Sequence, residues 1–168
     1  MCIRDRVNSL GEASDRQLYK EELMDFLKHK VEKFCGNCLR RIDTNPLRIL
    51  DCKIPQCRAA TEDAPKLIDF LGVTSKEHFD QVLNGLKALS IPYILNQRLV
   101  RGLDYYSMTA FEVSCSLLGA QNAIGAGGRY DGLFEALGGK PTPAVGYAIG
   151  LERVLLALPE SMIPNQKP

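Results

Sequence analysis

Three short stretches and one set of cysteines hold the side chains with which this chain could do chemistry. Arg101-Gly102-Leu103-Asp104-Tyr105-Tyr106 puts an Arg, an Asp and two Tyr within six residues. A guanidinium is a planar fork suited to a carboxylate or a phosphate. A Tyr ring offers a flat apolar body with a hydroxyl at its tip, which suits a small ligand. Successive side chains of a strand face opposite ways. Arg101 and Tyr105 are therefore expected on one face, with Asp104 and Tyr106 on the other unless the strand bends. Taken alone, the stretch fits an edge strand with surface Arg and Tyr at least as well.

The second stretch is Gly125-Ala126-Gly127-Gly128-Arg129-Tyr130-Asp131-Gly132. Without Cβ atoms its backbone can come very close to a ligand or to a neighbouring strand. It lacks the Lys-Ser/Thr ending of a nucleotide-binding P-loop, and it is not a dinucleotide fingerprint. A tight sheet crossing explains it as well as a ligand floor does. The third stretch, Gly146-Tyr147-Ala148-Ile149-Gly150-Leu151-Glu152-Arg153, reads as a small-residue strand running into a helix. Arg153 would project from that helix toward whatever lies above the sheet, or pair on the surface with Glu152.

Cys35-x2-Cys38 and Cys52-x4-Cys57, separated by 13 residues, bring four thiols into one segment. Such spacing suits a tetrahedral structural zinc, and in a reducing compartment metal is favoured over disulfides. The alternative is four independent reduced cysteines. From Lys28 to Arg58 there are eight Lys and Arg against three Asp and Glu. That excess could hold RNA phosphates or be a solvated basic face.

The elements that must position these groups follow from periodicity. Ser14-x-x-Gln17 has the form of a capping box. Apolar residues at Leu18, Tyr19, Leu23, Phe26, Leu27, Val31 and Phe34 predict a helix over 15–34. Pro46 and Pro55 push the residues before them out of helical geometry, so 35–58 reads as loops and turns. A short helix is expected from Asp63 to Leu71. Another follows a Thr74-x-x-Glu77 capping box and runs to about Ser90, with Gly85 inside it at a cost of about 1 kcal/mol relative to Ala. The period then changes. Strands are expected at 93–96, 99–103, 111–116, 123–127 and 144–149, with short helices at 130–137 and 151–158. Ten of the 14 glycines lie between Gly102 and Gly150. Runs of strands on short turns favour an α+β fold around an antiparallel sheet.

Composition limits the alternatives. The chain has 168 residues, a net charge of +1, 45% hydrophobic and 24% charged residues, no Trp and two His. These values fit a globular protein and rule out wholesale disorder. Two His leave few options for histidine-based metal or triad chemistry. No apolar run approaches the roughly 18 residues of a membrane span, so no membrane partner is expected. The opening MCIRDRVNS has no apolar signal core.

Together, the three stretches are far more specific than any one alone. Residues 98–158 closely resemble the second half of the catalytic domain of histidyl-tRNA synthetases. RLVRGLDYY with FEV is similar to that family's histidine-specific signature, AGGRYDGL to its following glycine-rich signature, and PAVGYAIGLERVLL to motif 3 of class II aminoacyl-tRNA synthetases. NSLG, TNPLRILD and DAPKLIDFL resemble the end of a catalytic-domain strand and the helical insertion domain of the bacterial type.

The resemblance implies a class II, α+β catalytic sheet with helices, present in part, plus a small helical insertion domain. It divides the chain into a foreign-looking junction at 1–6 and the end of a catalytic strand at 7–13. An insertion domain at 14–90 follows, which could bind zinc and contact tRNA. The second half of the catalytic domain is expected at 91–158, and a tail toward an anticodon-binding domain at 159–168. The activity implied is ATP-dependent activation of histidine to histidyl-adenylate and its transfer to tRNA(His), in a cytoplasmic homodimer, with Mg2+ accompanying ATP. Arg101 would be the catalytic residue, meeting the histidine carboxylate and the α-phosphate of ATP. Tyr105, Tyr106 and Tyr130 would line the histidine pocket over a floor of Gly127 and Gly128, and Arg153 would meet ATP. Cys35, Cys38, Cys52 and Cys57 are the candidate zinc ligands. Motifs 1 and 2 are expected upstream, so the 168 residues alone are expected to be an inactive internal fragment. Two other functions are weighed beside this one. A non-catalytic synthetase-like regulatory subunit of ATP phosphoribosyltransferase would share the fold, but the intact RGLDYY argues against it. A zinc-bearing RNA-binding module would explain 14–90 but not the glycine-rich half.

Overall fold

The computed structural model describes residues 3–100, 105–119, 121–159 and 162. Five strands form one sheet in the order β2-β1-β3-β4-β5. They are β1 (Ile3–Gly11), β2 (Tyr93–Leu95), β3 (Ser107–Cys115), β4 (Ala123–Arg129) and β5 (Val145–Ile149). β1, β3, β4 and β5 pair antiparallel, whereas β2 lies parallel to β1. The sheet is therefore mixed rather than antiparallel throughout. Parallel neighbours need a long crossover, and here the crossover is the whole helical segment. It carries α1 (Ala13–Lys28), α2 (Gly36–Thr44), α3 (Pro55–Ala60) and α4 (Val73–Ala88). Residues 3–6, set apart above as a junction, run on as the first half of β1, with Asp5 opposite Val113 and Arg6 opposite Glu112.

α1 buries Tyr19, Leu23 and Leu27, one stripe at four-residue spacing. It ends at Lys28, short of the expected 34, and a 3-10 turn follows at Val31–Lys33. The turn has a tertiary cause. Lys30 lies 4.0 Å over the Phe26 ring and donates from Nζ to the Ala60 carbonyl. The chain is thereby folded back so that Cys35 reaches Cys57. The Ser14–Gln17 box is not used. Glu12 is the N-cap, and its N–H donates to the Asp15 carboxylate at 3.0 Å.

Asp15 also reaches across to start α4. It accepts from the Gly72 N–H at 3.0 Å and from the Ser75 hydroxyl at 2.5 Å. Gly72 is the N-cap of α4, so the expected Thr74–Glu77 box is displaced by a carboxylate from another helix. Burial alone would raise the Asp15 pKa. The Ser75 hydroxyl, the Glu12 and Gly72 N–H groups and the Arg16 charge together hold it below the ordinary value of 3.8. Gly11 makes the approach possible. It has φ +61°, and a Cβ there would lie 2.7 Å from Asp15 and 2.8 Å from Leu71.

The stretch 35–58 contains α2 and α3 rather than loops alone. Pro55 stands in the first turn of α3, and Pro46 in a 3-10 turn at Pro46–Ile49. Both prolines begin a helical turn, where a missing N–H costs nothing. Asp63–Leu71 holds only a 3-10 turn at Leu67–Phe70.

The main core joins both parts of the chain. Leu10 and Ala110 of the sheet, with Val100, pack with Tyr19, Leu23, Leu27, Ile49, Leu67 and Leu71, and with the buried cysteines of the helical segment. A second, small core of Cys115, Ile124 and Ala157 seats α6 (Leu151–Ala157) on β3 and β4. α5 (Leu133–Ala136) occupies one turn of the expected 130–137 helix. The flank formed by β5 and α6 leaves Val145, Tyr147, Leu151 and Leu156 largely exposed. Among the described residues no helix is long and apolar enough to cross a membrane.

Candidate active site

Tyr105 and Tyr106 sit in a turn before β3, not on a strand. The expected alternation therefore fails, and both rings lie on the same side. Their centroids are 4.7 Å apart, and Tyr130 meets both edge-on, at 5.7 Å from Tyr105 and 6.1 Å from Tyr106. Leu99 and Val100, expected in a strand, lie in none. Arg101, Gly102, Leu103 and Asp104 fall outside the described residues.

The two glycines of the expected floor point to opposite faces, because they are consecutive on β4. Ala110, Gly128 and Gly146 are register partners across β3, β4 and β5. This row lies under the tyrosines. A Cβ on Gly128 would stand 2.9 Å from the Tyr106 ring and 2.5 Å from the Thr109 carbonyl, and one on Gly146 would overlap the Tyr130 hydroxyl. Gly127 belongs to the row Phe111–Gly127–Tyr147, where a Cβ would lie 2.7 Å from both Phe111 and Tyr147. Gly128 and Gly146 thus leave the space that the tyrosines fill, while Gly127 does so for the other face.

Asp131 anchors Tyr130. Its carboxylate pairs with Arg129 at 2.7 Å and accepts the Ala144 N–H at 3.1 Å, and its own N–H donates to Ser107 Oγ at 3.3 Å. One residue thereby ties the end of β4 to the starts of β3 and β5. The sequence reading passed over Asp131, although Arg129 and Asp131 flank Tyr130 at the two-residue spacing of a same-side pair. Arg153 lies toward the other end of β4. Its guanidinium donates to the Ala123 carbonyl at 2.5 Å and to the Gln121 carbonyl. The seven residues of β4, about 23 Å of extended chain, separate it from Tyr130. A ligand meeting both must lie along the strand.

Arg98 was also passed over. It donates to the Thr61 carbonyl at 2.7 Å, to Thr61 Oγ1 at 2.7 Å and to the Leu50 carbonyl at 2.9 Å. It therefore bolts the helical segment to the chain three residues before Arg101. A cavity of about 190 Å³ beside it is lined by Arg6, Lys53, Arg58 and Arg98, against Asp51 and Glu112. This wall carries four cations and two anions.

The four cysteines expected to be neighbours are brought together. The sulfurs of Cys35, Cys38, Cys52 and Cys57 all lie within 4.8 Å of one another. Cys38 and Cys57 are wholly buried, Cys52 nearly so, and Cys35 is partly buried. The Cys38 backbone N–H, at the start of α2, draws the Cys35 thiol down to about 7. Burial pushes the Cys38 and Cys57 thiols up. Donor set and spacing fit a tetrahedral zinc, whose bonds of about 2.3 Å place sulfurs about 3.8 Å apart.

Comparison with known proteins decides the family. A family model described as histidyl-tRNA synthetase matches residues 10–154. The chain belongs to the histidyl-tRNA synthetase family. It is 51% identical over 152 residues to the histidine–tRNA ligase of Desulfatibacillum aliphaticivorans, covering 90% of this chain and 36% of that protein. The fold agrees with that of the apo histidyl-tRNA synthetase of S. aureus, with a TM-score of 0.68 at 37% identity over 92% of this chain and 37% of that one. A protein of Bacillus halodurans described as an ATP phosphoribosyltransferase regulatory subunit/histidyl-tRNA synthetase shares the fold, with a TM-score of 0.51 at 16% identity and coverage of 94% of this chain and 45% of that one. The chain thus spans 36% to 45% of the length of these proteins. The class II synthetase fold read from the sequence stands, with the parallel edge strand β2 added to it.

Proposed function

We propose that this chain is the part of a histidine–tRNA ligase that binds histidine and positions it for adenylation. The packing of Tyr105, Tyr106 and Tyr130 over the Gly128–Gly146 floor carries this reading. Three hydroxyl-bearing rings seated together on the glycine floor form an aromatic, hydrogen-bonding wall that suits a small, flat, polar ring such as imidazole set against it. Arg101, four residues before Tyr105 in the sequence, is assigned the histidine carboxylate and the α-phosphate of ATP. A carboxylate oxygen attacks the α-phosphorus, pyrophosphate leaves, and the guanidinium charge stabilises the negative charge that develops. Arg153 takes the far end of ATP, and Mg2+ accompanies its phosphates. A hydroxyl of the terminal ribose of tRNA(His) then attacks the acyl carbon and AMP leaves.

The whole enzyme works as a cytoplasmic homodimer. The apolar flank of β5 and α6 supports further subunit or domain packing. The cysteines take no part in this chemistry and serve as a structural metal site. The test replaces the matching segment of a full-length relative with residues 10–154 and measures histidine-dependent ATP–pyrophosphate exchange. Exchange that responds to histidine, with a raised KM for histidine but not for ATP in Tyr106→Phe, supports the assignment. A folded chimera that binds ATP but gives no histidine-dependent exchange overturns it in favour of a non-catalytic, regulatory-subunit role.

A further inference from the structure

We infer that Cys35, Cys38, Cys52 and Cys57 hold a single zinc ion, and that this ion is the clasp that closes the segment between α1 and α4. This deepens the metal reading above and does not depend on the histidine chemistry.

The ligands come from three separate pieces of backbone. Cys35 is the N-cap of α2 and Cys38 lies in its first turn. Cys52 follows the 3-10 turn at Pro46–Ile49, and Cys57 is in α3. None of these pieces could stand alone: α2 has nine residues, α3 six and the 3-10 turn four. Isolated helices of that length are unstable in water. Side chains that converge from three such pieces on one point, with all four sulfurs within 4.8 Å, mark a ligand set.

The nuclearity follows from the spacing. Sulfurs this close surround one ion, because a cluster of several metal atoms would hold its thiolates farther apart. Four thiolate donors converging on one point suit zinc, which takes sulfur ligands in tetrahedral coordination. The surroundings also match. A zinc with four thiolates carries two net negative charges, and the segment from Lys28 to Arg58 has eight cationic against three anionic side chains. The Cys35 N–H donates to Cys57 Sγ at 3.2 Å, an outer contact of the kind that orients a sulfur ligand.

The consequence reaches the active site. Cys52 lies two residues after Leu50, and Cys57 four residues before Thr61. The carbonyls of Leu50 and Thr61 are the ones that receive Arg98. A metal that fixes Cys52 and Cys57 therefore fixes the socket of Arg98, just upstream of Arg101.

The experiment measures zinc in the chain purified under reducing, chelator-free conditions. About one zinc per chain is expected. It should fall to background in Cys38→Ser and in Cys52→Ser, and persist in Cys115→Ser, which alters a buried thiol outside the cluster. Should the cluster variants fail to fold, the wild-type chain reconstituted with cobalt(II) decides. Thiolate charge-transfer and tetrahedral ligand-field bands support the site. Chelation should then raise amide exchange across 35–62 while β3 and β4 stay protected. Absence of stoichiometric zinc and of cobalt bands, zinc that survives both Ser variants, or a mass showing two disulfides in the fresh reduced protein overturns the inference. A zinc-free chimera that retains histidine-dependent exchange sinks the metal and spares the ligase; a zinc-loaded one without exchange does the reverse.

Discussion

Replacing Arg98 with Ala removes three hydrogen bonds at one stroke, to the Leu50 carbonyl, the Thr61 carbonyl and Thr61 Oγ1. Thr61 is fully buried and Leu50 nearly so. The Leu50 carbonyl loses this donor, and the Thr61 carbonyl keeps only the long bond from the Ala64 N–H at 3.4 Å. A buried, unsatisfied acceptor costs about 1–3 kcal/mol. Thr61 Oγ1 loses less, because it still donates to the Cys57 carbonyl at 3.0 Å. The cavity beside Arg98 can admit water once the side chain is gone, which pulls the sum toward the lower end. The expected loss is about 2–3 kcal/mol. With a urea m-value of about 2 kcal/mol/M, the midpoint of unfolding should fall by about 1–1.5 M. Arg98→Lys should recover less than half, since one ammonium cannot span three acceptors. In a full-length relative altered at the matching position, histidine-dependent exchange should also fall, with the loss in kcat exceeding that expected from unfolding. A midpoint shift below about 0.3 M with unchanged m would refute the reasoning, because it would mean that these bonds are replaced by water without cost.

Other expectations follow from the same geometry. Arg101→Ala in a complete enzyme should slow ATP–pyrophosphate exchange by at least ~10²-fold, the scale of one lost preorganised donor; exchange near the wild-type rate would remove Arg101 from the mechanism. Gly128→Ala should cost about 1–3 kcal/mol through overpacking against the Thr109 carbonyl and Tyr106, and should raise KM for histidine. Gly132→Ala, where a Cβ meets nothing within 4 Å, should stay within about 0.5 kcal/mol of wild type. Asp15→Asn should destabilise the fold by about 2 kcal/mol at neutral pH. The folded Asp15 pKa lies below the unfolded value of 3.8, so its stabilisation is fully present above the unfolded value and is lost as pH falls from there through the lower, folded value. The difference between wild type and Asp15→Asn in urea melts should therefore be flat from neutral pH to about pH 5, begin to shrink once pH falls below the unfolded value of 3.8, and close only below the folded value. A difference that does not shrink at all as pH falls below 3.8 would show that the carboxylate charge is not what matters.

By itself, the sequence determined the pieces whose information is local. The stripe of Tyr19, Leu23 and Leu27 marks a helix because three aligned apolar side chains must be buried together. The aromatic and β-branched run from Phe111 marks the second half of β3, although its burial alternates only earlier, at Met108 and Ala110. The four cysteines could be nominated as one ligand set from their spacing alone, and the three glycine- and tyrosine-bearing stretches pointed to the family. Wherever the answer depended on what lies across the fold, only the tertiary structure decided it. The start of α4 is set by Asp15, distant in sequence, so the nearby Thr74–Glu77 pattern could not reveal it. The end of α1 is set by Lys30 reaching Ala60, which no local period encodes. Gly127 and Gly128 look alike in a row of letters, but pleating sends them to opposite faces, and the strands paired with each one determine which ring it makes room for. Arg98 and Asp131 gained their importance only when folding delivered their acceptors and donors. A side chain's type is written in the chain, but its partner is chosen by the topology that brings distant backbone within hydrogen-bonding reach.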